Sequence, residues 1–419
     1  MFMTGLAIRS LWNRRLAASL TVVAIGLSVA LLLGVERIRT DARTGFTDTI
    51  SGTDLIVGGR SGGVQLLLYS VFHIGNATNN IGWQSYQEII RHPHVLWAVP
   101  LSLGDSHRGF RVVGTTKDFF TRYHYAQDRS IAFAEGQSFD GVFDAVLGAE
   151  VAEKLHYRLG QRIVLAHGAG DVSFIEHNNM PFTVVGVLAP TGTPVDRSVL
   201  VGLEGIEAIH VGWEGGAPMP GIEITPEFAL KTDLTPKTIT AFMLGLDSKV
   251  AIFRVQRDIN NYAGEPLLAI LPGATLQELW DLVGVAERAL LAISMLVVLV
   301  GMAGMLTVLL AGLEARRREM AVLRAVGASP RQMLVLVIGE AGALTAGGML
   351  LGVVLLYGVI LAIRSYLQTH WGLHLSAGPL VSRELALLSG VFAVGLLAGL
   401  LPAWLAYHRS LADGLTVRL

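Results

Sequence analysis

Histidine is where chemistry is first sought in this chain. Eleven of its twelve histidines (His73, His92, His94, His107, His124, His156, His167, His177, His210, His370 and His374) fall in the two segments that separate the first apolar run from the second and the third from the fourth. Imidazole is the commonest metal-binding side chain. His92-Pro93-His94 can hold two ligands on one side, and so can His370 with His374, which stand at i, i+4 if helical. The chain has no cysteine, so a site must combine His with Asp or Glu, such as Glu176 beside His177. The other reading of the same residues is surface histidine in a water-exposed domain. No H-E-x-x-H is present, so metalloprotease chemistry is unsupported. No nucleophile–base spacing argues for an enzyme.

Phosphate chemistry is also missing. There is no G-x-x-x-x-G-K-[ST] loop, and Gly58-Gly59 and Ser61-Gly62-Gly63 lack its Lys and its strand-to-helix setting, so they read as turns. Any ATP energy must therefore arrive through another subunit, and no cofactor is expected in this chain. The formal net charge of −1 makes no case for nucleic acid. A chain of 419 residues with 52% hydrophobic and 16% charged residues fits a protein partly in lipid. The absence of cysteine removes disulfides and thiol catalysis without identifying the compartment.

The elements that must position these residues start with four apolar runs. Arg9, Arg14 and Arg15 precede an uncharged stretch long enough to span, with no small-residue cleavage site after it. It reads as an uncleaved first span over 16–36, after a cytoplasmic N-terminus at 1–15. Further spans are expected over 285–313, 333–363 and 385–407. The short segment 314–332 carries Arg316, Arg317, Arg318, Arg324 and Arg331 against Glu314 and Glu319, and the 408–419 tail carries Arg409 and Arg418. Both are expected inside by the positive-inside rule, which leaves 37–284 and 364–384 outside. Arg37, Arg39 and Arg43 run against that rule.

The 314–332 segment has the local signals of a helical hairpin. Glu314 precedes Arg318 by four residues, Gly327 suits a helix C′ position, and Ser329 can cap a helix that starts at Pro330. Met320, Leu323 and Val326 are left as an apolar knob, which can dock into a groove on a soluble partner. A solvated positive-inside loop is the alternative. Glu340 is the one acidic residue inside an expected span away from the end residues Glu36 and Glu287, in either a proton or substrate role or a structural one near the cytoplasmic end. Small residues, including the pair Gly348 and Gly352, allow close helix approach within the chain or between subunits.

Between the first two spans, 53–57, 95–100, 110–114, 182–188 and 240–246 read as strands. Residues 65–74 are apolar but too short to cross a membrane, and a buried or interfacial segment is expected. Residues 85–91 and 248–259 read as helices. The stretch 145–166 reads as strand, helix, turn and strand. The insertion is therefore α+β with mixed strands, large enough for two subdomains.

The segment 314–333, EARRREMAVLRAVGASPRQM, resembles the loop after the second span in FtsX/MacB/LolC-like permeases of ABC transporters. AVLGAEVAEKL with the following turn resembles the same family's "G..LA..L.L..G..I.L" segment, and APTGTPVDRSVLVGL resembles its connection back from one subdomain to the other. The resemblance implies a membrane protein of type VII ABC architecture. It has four transmembrane α-helices and an α+β extracytoplasmic domain, MacB periplasmic core-like, inserted between the first and second spans. It implies a permease subunit in the bacterial inner membrane, with both termini cytoplasmic. Glu314, Arg317, Arg318, Glu319, Met320, Leu323, Arg324, Gly327 and Ala328 would form the coupling helix. They would touch a separate ATPase dimer that holds ATP and Mg. Other implied partners are a second permease subunit, identical or different, membrane lipid, and a periplasmic adaptor or substrate-binding protein. Acidic residues are common in the family near Glu340. The cargo stays open among lipoprotein or lipid, small molecule or peptide, and metal or metal complex. The alternative within the family is an FtsX-like regulator of an extracytoplasmic hydrolase.

Overall fold

Helix α1 runs Arg15–Asp48 and buries Ile25, Val29, Leu32 and Leu33, a three- and four-residue spacing that makes one apolar stripe. The computed structural model describes residues 15–126, 128–168, 175–214, 217–218, 224–315, 322, 326–371 and 377–408. The chain divides into two compact units, Met1–Ala42 with Gly284–Leu419, and Arg43–Val283.

The Arg43–Val283 unit is α+β. In chain order its main elements are β1 Leu55–Gly59, α2 Gly63–Val71, α3 Trp83–Ile89, β2 Val95–His107, β3 Phe110–Thr115, β4 Phe133–Gly136, β5 Asp144–Leu147, α4 Ala149–Leu155, β6 Arg162–Ile163, β7 Ala166–His167, β8 Ile175–Glu176, β9 Phe182–Leu188, β10 Ser198–Gly202, α5 Leu203–Ile209, β11 Ala241–Leu246, α6 Ile252–Asn260 and β12 Leu267–Ile270. The strands lie in the order β12-β1-β11-β2-β3-β10-β5-β9-β4; β7 attaches to β2, β8 to β7 and β6 to β9. The sheet is mixed: β10 runs parallel to β3 and β9 parallel to β5. Strand β2 joins its two halves, pairing through Val95–Leu101 with β11 and through Ser102–His107 with β3.

Strand periodicity explains the two-faced burial. Val112, Ala145, Leu147, Val199 and Val201 enter one apolar cluster, while their neighbours Val113, Val146 and Leu200 enter another on the opposite face. Leu55 and Val57 are separated from Ile56 in the same way. The apolar segment at 65–74 is largely helix α2, with Leu66, Leu67 and Tyr69 fully buried. One expectation is corrected. The stretch after Ala189 does not carry the chain back to the other half of the sheet. Thr193 caps a 3₁₀ turn, Pro194–Arg197, that leads directly into β10 between β3 and β5. The strand expected across 161–166 is two short ones, β6 and β7, because each pairs with a different neighbour.

In the other unit, α7 Pro272–Ala315, α8 Pro330–Trp371 and α9 Ser382–His408 join α1. All four helices are long and apolar enough to cross a membrane. Val298, Met302 and Met305 of α7, Leu344 and Leu356 of α8, and Leu388 and Val391 of α9 share one core with the α1 stripe. The glycine pair serves this packing. A methyl group at Gly348 would come within 2.5 Å of Ile25, and one at Gly352 within 2.7 Å of Val29. That face of α8 is thus an intrachain contact with α1. Likewise, Gly395 lets α9 approach Thr345 of α8.

Candidate functional site

Three ligand-type side chains meet in the α+β unit: Asp105, His167 and His210. Asp105 sits in β2 where one extra residue between Leu103 and Ser106 breaks the register with β3. Such a bulge re-aims a side chain. His167 in β7 is the direct cross-strand partner of Asp105, so the two side chains start from neighbouring positions on one face. His210 ends α5, where it follows Ile209. His167 Nδ1 lies 3.2 Å from Asp105 Oδ1. His210 Nε2 lies 3.7 Å from the same oxygen and 3.3 Å from His167 Nδ1.

The surroundings fix the protonation of this group. His210 Nδ1 is 2.8 Å from the Ile206 carbonyl, which can only accept, so Nδ1 carries the proton and Nε2 its lone pair in the neutral ring. His167 donates to Asp105, which raises its pKa above the ordinary value although burial works against it. His177, placed after β8 by its N–H bond to the Leu165 carbonyl, is 3% exposed. Its Nε2 is buried with no hydrogen-bond partner among the described residues. Burial pushes the His177 pKa down to about 4, with His210 adding to the effect, so the ring is neutral at pH 7. Trp213 walls the group: its ring centroid lies 4.9 Å from that of His177, 5.2 Å from His210 and 5.4 Å from His167. His107 is two residues from Asp105 but is committed elsewhere, Nδ1 to the Val164 carbonyl at 2.6 Å and Nε2 to the Tyr157 hydroxyl at 3.0 Å.

Of the paired metal candidates read from sequence, only His177 lies beside this group among the described residues. Glu176 is exposed and accepts from Asn178 instead. His92 and His94 stand 5.7 Å apart by ring centroids, but His94 pairs with Asp247 at 3.1 Å and His92 approaches Asp258 at 3.6 Å. His374 and the side chain of His370 lie outside the described residues. Asp105 was not singled out by sequence, and His167 and His210 entered only as two of the eleven histidines. No fixed spacing links positions 105, 167 and 210, and only β-pairing and the end of α5 bring them together.

The membrane unit holds a second polar group. Arg37 of α1 contacts Glu384 of α9 twice, Nε to Oε1 at 2.8 Å and Nη2 to Oε2 at 3.0 Å. Glu384 also accepts from the Val381 N–H at 2.9 Å, closing the start of α9. Arg39 pairs with Glu287 at 2.8 Å and with Glu36 at 3.2 Å, and Arg383 reaches Glu36 at 2.9 Å. Arg43 lies over the Trp280 ring, 5.3 Å from its centroid. The arginines that follow the first apolar run are therefore engaged by carboxylates and a ring. Glu340 is 7% exposed in α8 and has an interaction partner.

At the hairpin, Arg317, Arg318, Glu319, Met320, Leu323 and Arg324, and the side chain of Glu314, lie outside the described residues. Those described form a reciprocal helix cap. Ser329 N–H donates to Gln332 Oε1 at 2.8 Å, Gln332 N–H to Ser329 Oγ at 3.4 Å, and α8 starts at Pro330. Gly327 has φ of 105°, a turn that disfavours any side chain. Val326 beside it is 84% exposed, and Ala328 is half-buried.

Comparison with known proteins agrees with this architecture. A family model described as MacB-like periplasmic core domain matches residues 18–262, and one described as FtsX-like permease C-terminal matches 291–412. Among solved structures, the periplasmic region of MacB from Actinobacillus actinomycetemcomitans is similar at 11% identity and a TM-score of 0.33, over 55% of this chain and 94% of that one. The extracellular domain of the ABC-type transporter YknZ from Gram-positive bacteria is similar at 14% identity and a TM-score of 0.31, over 52% and 99%. No curated protein matches. The architecture is that of a multi-pass membrane protein with an α+β domain between its first two spans. The chain belongs to the FtsX/MacB-like permease family of ABC transporters. That family is the transmembrane component, its ATPase lies in a partner, and its assemblies are generally dimeric.

Proposed function

We propose that this chain couples ATP hydrolysis by a separate ATPase dimer to motion of its α+β domain, which acts on a substrate or partner outside the bilayer. The observation that carries the reading is the joining of a MacB-like domain and an FtsX-like permease region in one chain with no phosphate-binding loop of its own. ATP and Mg reside in the partner. The chain sits in a bacterial inner membrane with both termini inside, paired with a second permease subunit. A periplasmic adaptor or binding protein completes the path to the cargo.

Helix continuity supports the mechanism. Helix α7 is 44 residues long, roughly 66 Å at about 1.5 Å per residue, against a hydrocarbon core of about 30 Å. It begins among residues of the α+β unit and ends at the Arg-rich hairpin, and α1 likewise carries residues of both units. A displacement of the hairpin by the ATPase is thereby passed along an unbroken helix. The turn at Gly327 and the cap at Ser329 define where α8 begins beside the hairpin.

The test is reconstitution. Expressed together with its ATPase and placed in lipid vesicles, the complex is expected to show ATP turnover that depends on this chain. ATP turnover indifferent to the chain would refute the coupling.

A further inference from the structure

We infer that Asp105, His167 and His210 form a binding site for one divalent transition-metal ion of the zinc class, with His177 standing beside them as an additional nitrogen donor. The inference is independent of the coupling reading, because it rests on the α+β unit alone.

Spacing comes first. Ligand atoms about 2.0–2.1 Å from a tetrahedral zinc stand about 3.3–3.4 Å from one another. The three edges of the Asp105, His167 and His210 triangle are 3.2, 3.3 and 3.7 Å. Three ligand atoms already occupy the corners of one face of such a polyhedron.

Hydrogen-bond accounting comes second. The single proton on His167 Nδ1 can satisfy Asp105 Oδ1 or His210 Nε2, but not both well. The His210 lone pair then faces a carboxylate oxygen that also only accepts. Asp105 is 3% exposed, and no Lys or Arg pairs with it among the described residues. A buried carboxylate ringed by imidazoles is costly unless a cation joins it. One ion between the three groups removes every conflict.

The supporting shell is that of a metal ligand. His210 donates its other ring N–H to the Ile206 carbonyl, which fixes the tautomer that offers Nε2. His177 has a buried, unpartnered Nε2, and its ring centroid is 5.2 Å from that of His210. Trp213 packs its ring against one side of the group. Imidazole with one carboxylate suits zinc, and also nickel, cobalt or copper(II); a chain without cysteine does not offer the soft set that selects copper(I). Such an ion would tie β7 and the end of α5 to the bulge of β2.

The experiment uses the full-length protein, purified in detergent without a polyhistidine tag and stripped by chelator. Titration with zinc is expected to show one ion per chain. Asp105→Asn, His167→Ala and His210→Ala should each weaken binding about 100-fold, whereas His92→Ala with His94→Ala should leave it unchanged. Should the site variants fail to fold, unsubstituted protein loaded with cobalt(II) decides. Intense visible bands of a four- or five-coordinate ion with nitrogen and oxygen ligands are expected. The faint spectrum of a hydrated octahedral ion would overturn the site. So would the absence of a stoichiometric zinc ion, or full affinity in a folded His167→Ala/His210→Ala variant.

Discussion

Arg37 and Glu384, 347 positions apart, form a two-contact ion pair in which both side chains are almost wholly buried. It ties α1 to the first turn of α9 and explains an anomaly in the sequence. In the proposed orientation Arg37 and Arg39 follow the first apolar run on the side where the positive-inside rule disfavours arginine, yet Glu384, Glu287 and Glu36 engage them. Glu384→Gln keeps an acceptor for the Val381 N–H but removes the charge opposite Arg37. Leaving one member of a buried pair uncompensated costs about 3 kcal/mol or more. The melting temperature of the purified protein in detergent should therefore fall clearly. Arg37→Met combined with Glu384→Gln should recover much of the loss. Unchanged melting of the single variant would show that the pair contributes nothing.

Acid should weaken the α+β unit through His73. Its Nδ1 lies 2.9 Å from Ser198 Oγ, whose own proton goes to the Pro194 carbonyl, so His73 donates. Burial, with Arg111 nearby, lowers its pKa to about 4. The unfolded chain takes up that proton near the ordinary value of about 6.5. Stability from this group is therefore complete above about pH 6.5, declines as pH falls toward 4, and is constant below. The full loss is at most about 3 kcal/mol. His73 has φ of 55°, which Asn tolerates, so His73→Asn should flatten this part of the pH–stability curve without breaking the turn. Parallel curves for the two proteins between pH 6.5 and 4 would remove His73 as the cause.

Much of this architecture was legible because it rests on local chemistry. Ser329 and Pro330 signal a helix start whatever lies around them, and the structure places the start of α8 at Pro330. Phe182–Leu188 alternates in burial and forms a strand over the expected residues. Gly160, with φ of 80°, makes the turn its position suggested. What local pattern could not supply was partnership. His92 and His94 are adjacent enough to look like a ligand pair, yet Asp247 and Asp258 face them. Asp105 is one carboxylate among many until a bulge in β2 turns it toward His167. Likewise nothing in Gly348 or Gly352 says which helix they face, and the contact with Ile25 and Val29 exists only in the assembled bundle.

Topology is checked by labelling. The chain contains no cysteine, so single introduced cysteines report without background. Ala328→Cys at the hairpin should be protected from a membrane-impermeant maleimide added to intact cells and react after lysis. Leu96→Cys, at an exposed position in the α+β unit, should react from outside. Outside labelling at position 328 would invert the orientation drawn from the arginines.

The coupling knob gives the sharpest functional test. Surface ion pairs are worth about 0–1 kcal/mol, whereas truncating an apolar anchor at an interface costs roughly 2 kcal/mol or more. Val326, 84% exposed at the described edge of the hairpin, shows that apolar surface is presented there. If the hairpin seats in the ATPase, Met320 and Leu323 should matter more than its arginines. Met320→Asp with Leu323→Asp is expected to abolish co-purification of the ATPase or to uncouple ATP turnover from function. Arg317→Ala should be mild. Membrane insertion should be unaffected, because the substitutions lie between spans. Melting of the isolated chain separates this outcome from misfolding. Should the double variant retain the ATPase and couple normally while folded, the hairpin is a solvated loop and the ATPase docks on another surface.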